Sequence, residues 1–423
     1  MLKKLTKFYA EFPSLFWVVV ATLFIDAIGS TLLFPFFALY ITQKFSVGMT
    51  EAGVLLGMSS LFGLVGSMIG GALTDRFGRR KLILFGLVFS ALSNLLFGFA
   101  QDINILYFVI VIIGLLSRIA NPARDAMMTD ILPESKRQEG FGITRSVFNL
   151  AWIFGTALGG LIATRSFLAL FIADAVISLV VAMILYRVLP ETMPAPRGDA
   201  RKSESLLKTV SGYSLVLRDL AYVLFTITGM ISLLVYQQEY GALSVYLRDI
   251  HNISSQDYGI MLSIAGIEVI LFQIWISRMI RKYPPFLTMA FGTIFFVAGF
   301  AMIGFVHTVL LFILAITLIT IGEMITFPTN RVIAAGFAPA ELRGRYMAIY
   351  DLGWAVPATV GPAAAGLIFD NYSPNLLWYL GGILCMVSAI SFYGLHLWLG
   401  KQERFDPTPA KTETSAPGEL EAS

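Results

Sequence analysis

Cysteine, histidine and charged residues are all scarce in this chain of 423 residues. Cys385 is the single cysteine and there are three histidines, so neither a disulfide nor a cysteine- or histidine-rich metal site is expected. Charged residues make up only 13% of the sequence, which excludes an ordinary soluble protein. The sequence contains no phosphate-binding loop and no nucleophile–base spacing. An ATP-driven machine and an enzyme are therefore excluded, and no cofactor is expected.

Long apolar runs take up most of the sequence instead. Hydrophobic residues make up 57% of it, and the mean hydropathy is +0.77. Twelve runs are about twenty residues or longer, which is the length that crosses the hydrocarbon layer of a lipid bilayer. They predict an all-α membrane protein with twelve transmembrane helices, at residues 14–41, 51–74, 81–100, 103–132, 139–163, 167–189, 218–247, 256–280, 285–305, 308–336, 346–369 and 375–399.

Basic residues are concentrated in alternate loops between these runs, although the net charge is only +3. The other set of loops contains only Lys44, Arg165 and Arg248. By the positive-inside rule, both termini and the central linker are predicted to be cytoplasmic, in the inner (plasma) membrane. Because this bias reflects topology, no nucleic-acid partner is expected. The basic set comprises Lys3, Lys4, Lys7, Arg76, Arg79, Arg80, Lys81, Lys136, Arg137, Arg197, Arg201, Lys202, Lys208, Arg278, Arg281, Lys282, Arg343 and Arg345.

The chain divides into two halves around one long polar interruption, from Pro190 to Gly212. Its prolines and charges are typical of a linker. The tail from Lys401 to Ser423 is rich in Pro, Thr, Glu and Ala and is predicted to be disordered. The predicted organisation is a first six-helix bundle at 1–189, a cytoplasmic linker at 190–217, a second bundle at 218–400 and a tail at 401–423.

The two halves are related by an internal repeat. A shift of 206 positions places residues 122–162 on residues 328–368 without a gap, and prolines, arginines and glycines coincide. In this register Arg145 and Asp351 occupy equivalent places. A repeat of about half the chain in an apolar sequence is typical of a transporter built from two related bundles. We therefore expect two pseudo-symmetric six-helix bundles.

A glycine- and arginine-rich string, Gly70–Lys81, joins the second and third runs. Its paired glycines permit tight helix contact, and Gly78 permits a sharp turn. Asp75 can lie at the N-terminus of a neighbouring helix, where the helix dipole favours negative charge. The arginines can pair with a carboxylate at the end of the fourth run, for which Asp130 is the natural candidate. A basic loop that only fixes the topology is the alternative.

This string resembles the loop between helices two and three of the major facilitator superfamily. The resemblance extends over almost the whole chain, and it implies the twelve-helix fold of that superfamily. It also implies a cytoplasmic latch that holds one conformation and releases the other. The latch would comprise Gly71, Asp75, Arg76, Gly78, Arg79, Arg80 and Asp130.

The stretch Gly155–Gly160 resembles the glycine-rich motif of the drug:proton antiporter branch, which comprises multidrug exporters. That motif normally has a proline where Thr156 stands, whereas the second-half counterpart Gly361-Pro362 retains it. The resemblance implies an antiporter that exports lipophilic or cationic small molecules.

Ionisable residues inside the runs are the strongest evidence for function. A charge at the bilayer centre costs about 2.5–3.5 kcal/mol on insertion scales, so these groups are expected to face a watery cavity or each other. In the superfamily, helices 1, 4, 7 and 10 line that cavity. Static polar contacts between helices are the alternative role. The proton-coupling candidates are Asp26, Glu239, Glu268, Glu323 and Arg118, and the candidates for a gate between the bundles are Arg145 and Asp351.

Aromatic and methionine side chains are expected to line the cavity. Soft apolar surfaces with a few acidic groups suit lipophilic cations. Ordinary packing or lipid contact is the alternative for each residue. The cavity candidates are Tyr40, Phe148, Trp152, Tyr236, Gln237, Tyr240, Tyr246, Met324, Tyr350 and Trp354.

Together these features predict a proton-coupled secondary transporter that works by alternating access as a monomer. Its partners would be a small-molecule substrate, protons and the lipid bilayer. Two alternatives remain open at this point. One is a transporter for a specific metabolite, sugar or lipid precursor, and the other is a membrane receptor that has kept the fold without transporting.

Overall fold

The computed structural model describes residues 8–193, 213–339 and 342–400. Within these residues twelve helices are long and apolar enough to cross a membrane, and no strand is present. The predicted all-α fold with twelve spans is confirmed. The helices are α1 (Ser14–Phe45), α2 (Met49–Phe77), α3 (Arg79–Phe99), α4 (Ile103–Ile131), α5 (Glu134–Ala163), α6 (Phe167–Val188), α7 (Leu220–Glu239), α8 (Ser255–Ile280), α9 (Pro285–Ile303), α10 (Val309–Phe337), α11 (Arg343–Asn371) and α12 (Pro374–Leu399).

Several helices begin at a polar side chain that accepts a hydrogen bond from their first turn. Asp102 accepts from the backbone N–H of Asn104 at 2.9 Å and begins α4. Ser254 accepts from the N–H of Asp257 at 3.1 Å and begins α8. Such caps satisfy N–H groups that have no partner within the helix. They explain why apolar sequences start their helices at these residues.

The helices form two six-helix bundles with matching internal contacts. In the first bundle α1 packs on α5 and α6, α2 packs on α4, and α3 packs on α6. In the second bundle α7 packs on α11 and α12, α8 packs on α10, and α9 packs on α12. Each contact of the first bundle has its counterpart six helices later. This correspondence is the pseudo-symmetry that the sequence repeat predicts.

The bundles meet along two helix pairs, α2 with α11 and α5 with α8. We call the end of the molecule with the turns at Gly78 and Tyr283 the basic face, and the end with the turns at Gly48 and Ser373 the opposite face. The tightest contacts between the bundles lie toward the opposite face. There, a Cβ on Gly53 would lie 2.2 Å from the carbonyl oxygen of Pro362, so the two backbones are in direct contact.

Three spans that the sequence predicts as continuous are interrupted. A 3₁₀ turn at Phe34–Phe36 divides α1, and another at Gln237–Glu239 ends α7 before a short helix, Leu243–His251. In α4 the helical bonding stops at Arg118 and resumes at Asn121, next to Pro122. Proline explains the breaks in α1 and α4, because it removes an N–H donor. The breaks in α1 and α7 occur at repeat-equivalent depths.

Parts of the predicted linker and tail lie outside the described residues. These are residues 194–212 of the linker and the whole of 401–423. Residues 213–218 comprise the C-terminal end of the predicted linker and the first residue of the predicted second bundle, and they are helical and lead into α7.

Candidate functional site

A cavity lies between the bundles and consists of two adjoining lobes. One lobe has a volume of about 390 Å³ and the other of about 280 Å³. Both lobes are lined by Phe34, Gln237, Tyr240 and Trp354, so they share a common wall. The breaks in α1 and α7 place the first three of these residues at the closed end of the cavity. Interrupted helices are tolerated at membrane depth where they line such a space.

Two carboxyl groups and two tyrosines from the second bundle meet in the smaller lobe. The Tyr236 hydroxyl donates to Oε2 of Glu323 at 3.0 Å, and it shares a hydrogen bond of 2.9 Å with the Tyr240 hydroxyl. Glu239, with 2% of its surface exposed, interacts electrostatically with Glu323. The result is a chain of hydrogen bonds from Glu323 through Tyr236 to Tyr240, with the buried carboxyl group of Glu239 close enough to interact electrostatically with Glu323.

Aromatic rings surround this acidic pair. The rings of Trp152 and Tyr240 meet edge to face with centroids 5.3 Å apart, and Phe34 lies 5.9 Å from Tyr240. On the other side Phe327 packs against Trp354 at 4.8 Å. These rings come from both bundles. Together they form an apolar chamber with an acidic wall.

The larger lobe is more polar. It is lined by Arg118 and Asn121 from α4, Gln237 after α7, and Asp351 from α11. Arg118 and Asp351 both have exposed side chains, and they face the lobe from different bundles. Asp351 also interacts electrostatically with Arg331. This half of the cavity therefore presents both signs of charge.

On the basic face, Arg79 and Asp130 form the ion pair that the sequence suggests. Nε of Arg79 lies 3.1 Å from Oδ2 of Asp130, which also accepts a hydrogen bond from the Thr192 hydroxyl at 3.1 Å. Gly78 makes the turn between α2 and α3 with a φ of +91°, a conformation that favours glycine. Arg80 donates to the backbone carbonyl of Tyr186 at 2.6 Å.

Glu191 completes this loop and was missed by the sequence analysis. Its carboxylate accepts from the backbone N–H groups of Arg79 at 2.9 Å and Arg80 at 3.2 Å, and so caps α3 from the end of α6. Burial acts to raise the pKa of Glu191, but hydrogen bonds from four backbone N–H groups outweigh it and lower the pKa below its ordinary value. No pattern local to Gly70–Lys81 indicates this partner, which is more than a hundred residues away.

The twelve spans, the paired bundles and this loop agree with a comparison against known families. The sequence model described as Major Facilitator Superfamily matches residues 19–241 and 237–420. This chain belongs to the major facilitator superfamily. Its family and relatives are transporters and not enzymes, so the predicted class is confirmed.

The curated relatives of this superfamily member are distant but nearly full length. A Na(+), Li(+), K(+)/H(+) antiporter of Planococcus maritimus is 24% identical over 398 residues, covering 87% of this chain and 91% of the relative. The quinolone resistance protein NorA of Staphylococcus aureus (strain MSSA476) is 22% identical and is covered to 89%, with 84% of this chain. The multidrug resistance protein MdtH of Shigella dysenteriae serotype 1 is 23% identical, with 84% of this chain and 88% of the relative covered.

Solved structures show the same fold at lower identity. The nucleoside transporter NupG has a TM-score of 0.76 at 12% identity, covering 90% of this chain and 99% of that one. A POT family transporter in complex with a thioalcohol-conjugated peptide has a TM-score of 0.75 at 17% identity, covering 91% of this chain and 96% of that one. At these identities the similarity concerns the fold alone.

Two of the predicted proton-coupling residues lie away from the central cavity of this transporter. Glu268 is half-buried between α8 and α10, where it accepts a hydrogen bond from the Thr317 hydroxyl at 2.7 Å. Asp26 pairs with Arg124 of α4 at 2.8 Å and lines a separate cavity of about 300 Å³ within the first bundle. A mid-span position in the sequence does not determine toward which neighbour a helix turns its side chain.

Three of the predicted cavity residues are packed inside the bundles instead. Tyr40 and Tyr246 have only 1% and 0% of their surfaces exposed. Their hydroxyls donate to the carbonyl of Phe97 and to Oδ1 of Asn375, respectively. Met324 is buried between α8 and α10. The expectation that these three line the cavity is wrong for this conformation, because each turns away from the bundle interface.

The remaining predicted cavity residues border the cavity or a recess beside it. Phe148 and Trp152 from α5 and Tyr236 from α7 line the smaller lobe. Gln237, Tyr240 and Trp354 line both lobes, as described above. Tyr350 lines a small adjoining recess between α7, α10 and α11.

Arg145, Gly71 and Asp75 do not make their predicted contacts in this conformation. Arg145 is exposed and interacts electrostatically with Glu323, and no ion pair between Arg145 and Asp351 is present within 4 Å among the described residues. A Cβ on Gly71 would meet no atom within 4 Å. The Asp75 side chain is 81% exposed and lies 3.9 Å from Arg79 of its own loop. The absence of these contacts among the described residues indicates that the bundles are apart at this face.

Arg76 is also exposed at this end of α2, where its guanidinium lies over the Phe77 ring at 5.4 Å.

A buried acid of the first bundle lies outside the set of predicted proton-coupling residues. Asp174 of α6, with 5% of its surface exposed, accepts a hydrogen bond from Nδ2 of Asn94 at 2.6 Å. A Cβ on Gly29 of α1 would lie only 2.2 Å from Oδ1 of Asp174, so the two could not coexist. The close approach of the α1 backbone therefore makes room for this carboxyl group.

Proposed function

We propose that this chain is a proton-coupled secondary transporter that exports lipophilic or cationic small molecules. The observation that carries the proposal is the acidic chamber at the closed end of the cavity. There, Glu323 accepts a hydrogen bond from Tyr236 at 3.0 Å, next to the buried Glu239. Aromatic rings from both bundles line the same space.

The chamber suits the exchange of a proton for a cation. Two carboxyl groups that share a desolvated site cannot easily both be ionised, so such a pair takes up a proton. A cationic substrate placed between the rings of Trp152 and Tyr240 would supply the positive charge instead. Proton and substrate would then compete for Glu323 and Glu239, and competition of this kind couples an antiporter.

The position of the cavity supports alternating access between the two faces. The bundles are in contact toward the opposite face, and the cavity opens toward the basic face. The positive-inside rule supports a cytoplasmic basic face, so this conformation would receive substrate from the cytoplasm. The names of NorA and MdtH, and the antiporter activity named for the Planococcus relative, agree with this proposal.

The test is transport driven by a pH gradient in everted vesicles, with tetraphenylphosphonium as the probe cation. Glu323→Gln is expected to lower gradient-driven transport at least about tenfold, as loss of a group that acts in proton transfer does. Substrate exchange without a gradient should persist, because the chamber keeps its shape. Glu268→Gln is the matched comparison in the same bundle.

The opposite result would assign proton coupling to Glu268 instead of Glu323. If Glu268→Gln abolishes gradient-driven transport and Glu323→Gln leaves it unchanged, the proton is carried between α8 and α10 and not in the chamber. If neither change affects transport, proton coupling through these acids is wrong.

A second candidate function is the transport of a polar metabolite. The specific observation in its favour is the larger lobe, where Arg118 and Asp351 present both signs of charge. A zwitterionic or anionic solute would pair with Arg118, which a lipophilic cation would avoid. Binding measured by calorimetry distinguishes the two. Arg118→Gln should weaken the binding of a polar solute and leave that of tetraphenylphosphonium unchanged.

A further inference from the structure

The carboxylate of Asp370 caps a helix that belongs to the other bundle. Asp370 lies in the last turn of α11, and its two oxygens accept from the first backbone N–H groups of α2. Oδ1 accepts from Met49 at 2.9 Å and Oδ2 accepts from Thr50 at 2.7 Å. More than three hundred residues separate donor and acceptor in the sequence. The contact therefore exists only while α2 and α11 are together at the opposite face.

The charge of Asp370 is unfavourable on its own helix. A helix ends in a partial negative charge, and an acid in the last turn is repelled by it, whereas the same acid is attracted to a helix N-terminus. α11 has no basic residue in its last turn to compensate. The N-terminus of α2 supplies a partial positive charge and two N–H donors, which the C-terminal end of α11 lacks.

A glycine before α2 leaves the space that this carboxylate occupies. A Cβ on Gly48, the residue before α2, would lie 2.4 Å from Oδ2 of Asp370. Gly48 has φ −71° and ψ 174°, which any residue adopts, so the glycine is needed for space and not for conformation. Further along the same pair, Gly366 packs its backbone against Met49.

We infer that Asp370 is a latch that holds the opposite face closed and so favours the conformation in which the cavity opens to the basic face. This inference rests on the proposed alternating access. When α2 and α11 separate at the opposite face, the N–H groups of Met49 and Thr50 lose their acceptor. The Asp370 carboxylate then remains next to the partial negative charge at the C-terminus of its own helix, which repels it. Closure therefore regains two hydrogen bonds and a favourable charge–dipole contact in one step.

The two ends of this helix pair are complementary. Asp75 lies near the C-terminal end of α2 on the basic face, as Asp370 does on α11 at the opposite face. Asp75 is 81% exposed in the conformation in which Asp370 is bound. The proposed latch would therefore be engaged when the acid of the basic face is free.

The experiment measures the separation of the two faces in the full-length protein by pulsed electron spin resonance. One labelled pair reports on the opposite face and a second on the basic face, both in a Cys385→Ala background in lipid nanodiscs. The opposite-face pair is Arg165→Cys with Thr308→Cys, and the basic-face pair is Ser135→Cys with Lys282→Cys; all four positions are exposed.

Asp370→Asn removes the charge and one acceptor and keeps the shape. We expect the ratio of opposite-face-open to basic-face-open molecules to rise about fivefold, the size of effect that loss of one hydrogen bond and of a charge–dipole contact gives. Asp102→Asn is the matched control. It removes the charge of a helix-capping carboxylate at the same face, but within one bundle, where Asp102 begins α4. The control should leave both distance distributions unchanged.

Gly48→Ala tests the same latch without changing any charge. Its added methyl group should displace the carboxylate and shift the populations in the same direction as Asp370→Asn. If both variants keep the wild-type distributions while the wild type itself shows both conformations, Asp370 is not a latch. If the wild type shows one conformation under all proton and substrate conditions, alternating access itself fails. The two failures are thus distinguishable.

Discussion

The two ends of the same four helices, α2, α5, α8 and α11, are packed in opposite ways. Toward the opposite face their glycines have no space for a side chain. A Cβ on Gly160 would lie 2.5 Å from the carbonyl oxygen of Ser255, and one on Gly259 would lie 2.4 Å from that of Thr156. Toward the basic face, a Cβ on Gly71 or Gly142 would meet no atom within 4 Å. Gly70 and Gly140, near the basic face, are tightly packed, but against Ile119 and Leu132 of their own bundle. Contact of glycines between the bundles is therefore seen at the opposite face and not at Gly71 or Gly142.

This difference shows what holds the closed end together. In a bilayer, burial of apolar surface gives little drive for helix association, so close backbone packing and polar contacts must supply it. The α5–α8 pair has both, because the Ser263 hydroxyl bonds that of Thr156 at 2.9 Å and donates to the carbonyl of Ile153 at 2.9 Å. The α2–α11 pair has Asp370. Gly71 and Gly142, which make no contact in this conformation, are then expected to make contact when the basic face closes.

The largest effect is expected from a side chain placed at the closed end. Gly53→Val would drive α2 away from the carbonyl oxygen of Pro362, which is backbone and cannot rotate aside. Overpacking of this kind costs about 1–3 kcal/mol, so we expect transport to fall by about tenfold or more. The measurement is initial transport rate in everted vesicles, together with the opposite-face distance distribution, which should shift to longer distances.

Gly394→Val is the control for that substitution. Gly394 is an exposed glycine of α12 whose Cβ would meet nothing within 4 Å, so the same change should leave transport as it is. If Gly53→Val transports normally, contact between α2 and α11 is not needed for the cycle, and the comparison of the two ends loses its meaning.

The sequence was sufficient for the fold because the relevant signals are strong. Runs of about twenty apolar residues have few alternatives to a membrane span. The repeat that aligns Arg145 with Asp351 predicted the paired bundles. The partnership of Arg79 and Asp130 followed from where the spans end. All of these inferences depend on position along the chain and not on the direction of a side chain.

Side-chain direction was what the sequence could not supply. A helix that is apolar all round gives no periodic signal for its inward face. Tyr40 and Tyr246 were therefore assigned to the cavity but pack within the bundles, and Glu268 and Glu323 could not be told apart. The capping roles of Glu191 and Asp370 could not be predicted for another reason. Each caps a helix that is distant in sequence, and only the assembled fold brings the two together.

A smaller effect is expected from a side chain placed at the open end. Gly71→Val adds its methyl groups to empty space, so the thermal stability of the basic-face-open conformation should not change. Closure of the basic face should become harder, and we expect the maximal transport rate to fall about three- to tenfold, as a cost of about 1 kcal/mol implies. Substrate affinity measured from the basic face should remain the same.

The contrast between Gly53 and Gly71 is the test. If Gly71→Val lowers stability as much as Gly53→Val, both ends are packed in solution and the open basic face is not the resting conformation. If Gly71→Val has no effect on rate, the basic face closes without contact at this residue.

The smallest effect is expected from a substitution at the loop between α2 and α3. The contacts of this loop lie within one bundle, so they do not depend on whether the bundles are together. Because the folded-state pKa of Glu191 is lowered, its cap on α3 is present above the unfolded pKa, about 4.3, and is lost as the pH falls through the folded value. Glu191→Gln should therefore lower the melting temperature by about 1–3 °C at pH 7, the effect of losing a largely exposed cap. The difference between wild type and variant should shrink as the pH falls below about 4 and through the lowered folded-state pKa, because the wild-type carboxylate then becomes protonated as well. A difference that does not shrink as the pH falls below about 4 would mean that Glu191 acts through its shape and not through its charge.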